Sequence, residues 1–230
     1  VFPAVHLIVS GGHTILLLVQ GLTKWKKLGE TRDDAVGEAF DKVARIMGLP
    51  YPGGPEIEEL AHHSSLTTQN CIPFPRPMLN QKNYDFSFSG LKTAVLYYLR
   101  EHGSRIHADI TRISADRAHR RTSASNPRQS AFAADVAASF QHAAIDVLVQ
   151  KTIRAAREYG AKSVMLSGGV AANKALRRAL AREAKKIGAM FIAPEAEYNT
   201  DNAAMIAVAG YVAHLRKKRY KLEAQGSLSI

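Results

Sequence analysis

Three stretches of this chain combine residue types that could do chemistry. The first is Ile8-Val9-Ser10-Gly11-Gly12-His13-Thr14. An apolar run ends at two glycines flanked by hydroxyls and a histidine. A Ser-Gly-Gly turn at a strand end can aim backbone N–H groups at one spot with no Cβ in the way, which is how proteins cradle phosphate. The competing reading is a plain hairpin whose glycines only supply positive φ. The second stretch, "LSGGVAANKALRRAL" at 166–180, repeats the motif as strand, glycine turn and helix. A helix start favours an anionic or polar ligand, and Asn173 in its first turn could meet a base or ribose or could simply cap the helix. The third is acidic. Asp34, Glu38 and Asp41 fall at i, i+4 and i+7, which predicts one carboxylate-bearing helix face with Arg45 one turn on. Such a face could take ribose hydroxyls or back a metal, or it could be solvated, with an Asp41–Arg45 pair. Asp201, in "NTDNAAMIA", is a candidate metal ligand, with Asn199 or Thr200 as the ordinary helix cap. The chain has no His-x-x-x-His, no His-Glu-x-x-His, no Gly-x-Ser-x-Gly elbow and no Gly-x-x-x-x-Gly-Lys-Ser/Thr loop.

The elements that must position these residues follow from periodicity. Residues 4–9 and 15–19 read as strands on either side of the first turn, and "KWKKLGE" as a third with Trp25 and Leu28 inward. Ala35, Ala39, Val43 and Ile46 recur at helical spacing, with Phe40 and Met47 beside them, up to Gly48. "PYPGGP" is a rigid loop before the helix "EIEELAHH". Residues 70–90 are loop-like, and a helix at 91–102 ends at Gly103. Residues 104–130 are polar and basic without periodicity, which predicts a surface insertion. A long helix at 131–159, strand 162–167, helix 171–188, strand 189–194 and a last helix from 199 complete an α/β alternation.

The totals narrow the partners. The 230 residues carry a net charge of +11, with 46% hydrophobic and 22% charged residues. A pI near 9.8 favours a polyanionic partner, nucleic acid first. Basic residues gather at 100–128, with Arg100, Arg105, Arg112, Arg117, Arg120, Arg121 and Arg128, and in the tail "HLRKKRYK". No apolar run approaches the roughly 18 residues of a membrane span, and no membrane partner is expected. The first residues do not read as a signal peptide. A single cysteine, Cys71, fits a reducing, cytoplasmic setting.

Together and in order, "LIVSGGHT", "LGETRDDAVGEAFDKVARIMGLPYPGGP", "FPRPM", "DFSFSGLKTA", "SGGVAANKALR" and "NTDNAAMIA" resemble the TsaD (Gcp/YgjD) family, once labelled O-sialoglycoprotein endopeptidase. The resemblance runs from about residue 5 to 213 and is weakest at 104–128. It implies the actin/Hsp70-like ATPase (ASKHA) superfold, with a nucleotide between two lobes. The activity it implies is transfer of a threonylcarbamoyl group from threonylcarbamoyl-adenylate to N6 of the adenosine 3′ of the anticodon, in tRNAs reading A-starting codons. By motif, Ile8, Val9, Ser10, Gly11 and Gly12 would line the phosphate or carbamoyl end. Asp41 and Glu58 would take ribose hydroxyls, Gly54 would admit the nucleoside and Asn173 would meet the adenosine part. Asp201 would hold a divalent iron or zinc. His13 is a catalytic candidate without a defined role.

The resemblance also implies an N-terminal lobe, bearing a His-x-x-x-His metal motif, and a C-terminal "RPRW" stretch, neither of which this chain contains. Residues 1–198 are therefore expected to be the second lobe, including a basic insertion at about 104–130. Residues 199–230 are expected to be a return helix and basic tail directed toward the other lobe. Such a piece is expected to bind nucleotide weakly and not to turn over. Its expected partners are tRNA, an inactive paralogue and a small ATPase. Rival expectations are a small-molecule kinase or phosphotransferase of the same superfold, or a non-catalytic scaffold paralogue. The protease label finds no motif here.

Overall fold

The computed structural model describes residues 1–66, 71–102, 127–199 and 202–217. Strands β1 (Ala4–Val9), β2 (Thr14–Gly21) and β3 (Lys24–Glu30) form an antiparallel meander. Helices α1 (Val36–Ile46), α2 (Gly53–His62), α3 (Ser89–His102) and α4 (Pro127–Glu158) follow. Strand β4 (Ser163–Ser167) then pairs parallel to β1, with Ala4 opposite Ser163 and Ile8 opposite Ser167. A 3₁₀ turn at Gly169–Ala172 leads into α5 (Lys174–Lys186), then β5 (Met190–Ile192), parallel to β4, and α6 (Ala203–Leu215). The strand order is β3-β2-β1-β4-β5. This mixed sheet with helices is the α/β class expected.

The period of two puts Val5, Leu7 and Val9 of β1, with Leu16 and Leu18 of β2, into one apolar core. Phe40 of α1 and Phe140 of α4 meet edge to face at 4.9 Å within it. His6, Ile8, Met165 and Ser167 lie half-buried on the alternate positions. Helix α4 includes a stretch long and apolar enough to cross a membrane, but 72% of its most apolar window is buried inside the fold. Pro127 opens the helix, where its missing N–H is harmless, so residues 127–130 belong to α4 and not to the expected insertion. The rest of that insertion, 104–126, lies outside the described residues.

Two expectations about elements fail. Trp25 does not face inward and is 50% exposed, whereas Leu28, half-buried, packs against the core as expected. β3 is an edge strand, and its pairing with β2 slips between Leu16 and Leu17 and again between Val19 and Gly21, which re-aims its alternation. Gly29 is the buried position. A Cβ there would stand 2.3 Å from the Tyr84 carbonyl, because residues 84–86 cross it. The last helix begins at Ala203, and Asn199 does not cap it; Thr200 lies outside the described residues. Asn202 is the cap, its side-chain oxygen accepting the Met205 N–H at 2.9 Å. No residue of α6 is buried, and Met205, Ile206, Val208, Tyr211 and Leu215 are exposed.

Candidate functional site at two glycine turns

The first turn is a four-residue hairpin loop. Ser10 N–H donates to the His13 carbonyl at 2.8 Å, and His13 N–H donates to Ser10 Oγ at 3.0 Å. Neither Gly11 nor Gly12 has left-handed backbone, and a Cβ on either would meet nothing within 4 Å. The hairpin therefore does not require these glycines for φ, and they leave open space. Val9 points into the core, so any part it takes in ligand contact is through its backbone, whereas Ile8 is half-exposed. The His13 imidazole is exposed beside the turn.

Two other parts of the chain meet this hairpin, the start of α1 and the second glycine turn. Thr14, fully buried, accepts the Val36 N–H on Oγ1 at 2.8 Å, and the Ser10 carbonyl accepts the Gly37 N–H at 3.2 Å. The start of α1 is thus closed by the hairpin itself and is not a free anion site. Gly37 has no room for a Cβ, which would lie 2.5 Å from the Ser10 carbonyl oxygen. The second turn abuts the end of β1. Gly168 has φ +93° and ψ 170°, and a Cβ there would fall 2.2 Å from the Val9 carbonyl oxygen. Gly169, one residue on, is open. Beneath both turns, His6 Nε2 and Ser167 Oγ are hydrogen-bonded at 2.8 Å across β1 and β4. Burial pushes the His6 imidazole pKa down to about 4.

The acidic stretch divides differently from the expected single face. Asp34 precedes α1 and receives Lys42 at 2.6 Å and Lys92 at 2.9 Å. Burial works to raise its pKa, but the bonds from Lys42 and Lys92 outweigh it and hold the carboxyl below its ordinary value. Glu38 pairs with Lys42 at 2.9 Å. Asp33 accepts the Phe88 N–H at 2.8 Å and the Ser87 hydroxyl just before α3, and Asp85 receives Arg32. These acids fasten the "TRDD" and "DFSFSG" segments to each other. Asp41 alone turns toward α2, accepting the Gly53 N–H on one oxygen at 2.8 Å, rather than pairing with Arg45. Gly53 is tight against Asp41 and Ala44, whereas Gly54 beside it faces open space.

Glu58 of α2 accepts the Lys174 N–H at 2.7 Å and so closes the start of α5. Asn173 is 8% exposed. Its amide oxygen caps α5 through Leu176 N–H at 2.9 Å, and its Nδ2 donates to Gln141 at 2.8 Å. Both polar ends of Asn173 are thus engaged in holding the loop. Sequence reasoning missed Gln141, whose partner is 32 positions away, and Arg177. The Arg177 guanidinium reaches the Ala171 carbonyl, the Pro194 carbonyl at 2.6 Å and Asn199 Oδ1 at 3.1 Å, fastening Asn199 to the second turn. Asp201 itself lies outside the described residues. Among the described residues, no group of three or more His, Cys, Asp and Glu gathers that could hold a metal.

The five parts form a connected rim: hairpin turn, α1, α2, the start of α5 and the second glycine turn. Its open positions are Gly11, Gly12, Gly54 and Gly169, and its carboxylates are Asp41 and Glu58, each with one oxygen committed to a helix start. Such a rim can hold a ligand with an anionic or carbonyl end and a hydroxyl-bearing sugar.

A curated tRNA N6-adenosine threonylcarbamoyltransferase from Moorella thermoacetica is 48% identical over 215 residues, covering 94% of this chain and 56% of its own length. One from Bacillus subtilis is 46% identical over 233 residues, covering 100% of this chain and 60% of its own. The chain thus spans a little over half the length of these relatives. Among solved structures, the activator of the 2-hydroxyisocaproyl-CoA dehydratase from Clostridium difficile, with bound ADPNP, aligns over 97% of this chain and 66% of its own at 16% identity, TM-score 0.48. The family model for TsaD, tRNA N6-adenosine threonylcarbamoyltransferase, matches residues 1–208. The chain belongs to the TsaD family.

Proposed function

We propose that this chain is the nucleotide-holding lobe of a tRNA threonylcarbamoyltransferase. The observation that carries the proposal is the set of open glycines, Gly11, Gly12, Gly54 and Gly169, beside Asp41 and Glu58. Gly11, Gly12 and Ser10 would take the phosphate or carbamoyl end of threonylcarbamoyl-adenylate through backbone N–H groups, with Ile8 and Val9 behind them. Asp41 and Glu58 would offer their remaining oxygens to ribose hydroxyls. Gly54 would let the nucleoside approach, and Asn173 would border the adenosine end, its amide already held by Gln141 and Leu176.

In the reaction, N6 of the tRNA adenosine attacks the carbamoyl carbonyl. A C–N bond forms, the C–O bond to phosphate breaks, AMP leaves and N6 loses a proton. The donor is a mixed anhydride, so the leaving group is good, and the protein's work is positioning and stabilising the developing oxyanion. His13, exposed beside the turn, is the candidate to receive the proton. The iron or zinc that the family resemblance implies has its candidate ligand, Asp201, outside the described residues. The described residues do not make up that site by themselves, so no step here is routed through it. Residues 199–230 would face the second lobe, and tRNA, an inactive paralogue and a small ATPase would be the partners, in the cytoplasm.

The test is ligand competition with a non-hydrolysable threonylcarbamoyl-adenylate analogue against ATP plus small-molecule acceptors, on the wild type and Gly12→Val. The expected result is preference for the acyl-adenylate, lost in the variant, with no single-turnover transfer by this chain alone. Phosphoryl transfer from ATP would favour the kinase reading. Analogue binding indifferent to Gly12→Val would remove the turn from the site.

A further inference from the structure

The strongest unassigned feature is on α5, away from the glycine turns. The helix "KALRRALAREAKK" carries six cations and one carboxylate. Arg177 is turned inward onto carbonyls. The other five, Lys174, Arg178, Arg182, Lys185 and Lys186, are exposed. Positions 174, 178, 182 and 186 recur every four residues, one row rising about 6 Å per step. Arg182 and Lys186 share Glu183, at 3.0 and 2.8 Å. Lys174, Arg178 and Lys185 have no acidic partner among the described residues.

A groove of about 1250 Å³ runs between this helix and α4. Arg178 and Arg182 line it from one side and Arg157, exposed in the last turn of α4, from the other. None of Ile8–Gly12, Asp41, Gly54, Glu58 or Asn173 lines it, and it meets the candidate site only at Gln141, which holds Asn173.

We propose that the outward row of α5, with Arg157 across the groove, is a track for an RNA phosphate backbone running away from the Asn173 end of the helix. The assignment rests on the reading of the chain as acting on tRNA. Three observations favour a polyanion over a protein partner. Exposed cations repeat along a line, as successive phosphates do, and two of the four in the row, Lys174 and Arg178, have no acidic partner among the described residues. The aliphatic side chains of the groove are little exposed, Ile145, Val149 and Ile153 being buried and Leu79 half-buried, whereas Arg157, Arg178 and Arg182 stand exposed on it. Ala175 and Ala179 between the cations let a backbone come close.

The experiment measures binding of an unmodified tRNA transcript to this 230-residue chain by fluorescence anisotropy, across ~0.05–0.2 M salt. The double variant Arg178→Glu/Lys185→Glu is compared with Lys24→Glu/Lys26→Glu, an equal charge change on exposed residues of the edge strand β3. The α5 variant is expected to weaken binding roughly tenfold or more and to reduce the slope of log K against log salt by about 1–2, while the β3 variant changes it little. Arg178→Lys/Lys185→Arg is expected to bind like wild type, and thermal melts verify that all variants fold. Equal losses in the two Glu variants, no loss in the α5 variant, or tighter binding of a polyglutamate peptide than of tRNA would each overturn the track. Absence of tRNA binding by the wild-type chain would overturn it too. The function reading is judged separately by acyl-adenylate binding: a chain that binds the analogue but loses no tRNA affinity on α5 substitution keeps its function and loses this surface.

Discussion

Gly168→Ala and Gly11→Ala should part company, although both change a Ser-Gly-Gly turn. Gly168 sits at φ +93° and ψ 170°, a backbone region that is essentially glycine's alone. Holding alanine there costs on the order of 1–3 kcal/mol. The added Cβ would also lie 2.2 Å from the Val9 carbonyl oxygen, which is backbone of a central strand and cannot swing aside. Overpacking of that kind adds roughly 1–3 kcal/mol. The sum, about 2–6 kcal/mol, lowers the melting temperature of a chain of this size by roughly 4–24 °C. Gly11 has neither constraint. Alanine there should leave the melting temperature unchanged, or raise it by the ~0.4–1 kcal/mol gained from a less free unfolded chain. The same Gly11→Ala should weaken acyl-adenylate binding tenfold or more, about 1.4 kcal/mol. Differential scanning calorimetry and ligand titration read the two quantities apart. If Gly168→Ala melts within ~2 °C of wild type, the close contact between the two turns is not what fixes them. If Gly11→Ala binds the analogue normally, the open space at that glycine has no ligand in it.

Two further outcomes follow from buried polar groups. Thr14→Val should cost about 1–3 kcal/mol in urea unfolding, because the Val36 N–H loses its acceptor in a fully buried position, whereas Thr14→Ser should restore most of it. His6 stays neutral in the folded chain down to about pH 4, while the unfolded chain protonates near 6.5, so the unfolded state binds more protons between those values. Its contribution, at most ~3 kcal/mol, is complete above pH 6.5 and is lost as pH falls toward 4; His6→Gln should flatten that part of the stability profile, and an unchanged profile would exclude His6 as its source.

Much of the architecture was legible because periodicity reports burial. The stripe Ala39, Phe40, Val43 and Met47 enters the core as its spacing requires, and both glycine turns stand at strand ends. What was hidden depends on partners distant in sequence. Helical spacing grouped Asp34 with Glu38 and Asp41, but α1 starts at Val36, and Lys92, 58 positions on, takes Asp34 for structural use. The closure of α5 by Glu58 spans 116 positions, and no local pattern announces it. Trp25 was misread because an alternation survives only while strand register does. The basic stretches at 100–128 and in the tail were in view, but the cations of α5 were passed over, and they sort into exposed and inward only once Arg177 is seen to hold carbonyls.

The double duty of Asp41 and Glu58 bears on how this protein can change. In many enzymes, groups held for a substrate are a burden on the fold, and removing one gains stability at the expense of activity. Here each carboxylate spends one oxygen closing a helix and, in the reading above, holds out the other for a ribose. Truncating either would lose on both counts. The usual exchange of activity for robustness is closed at these two positions, and a thermostable variant would have to find its gains elsewhere.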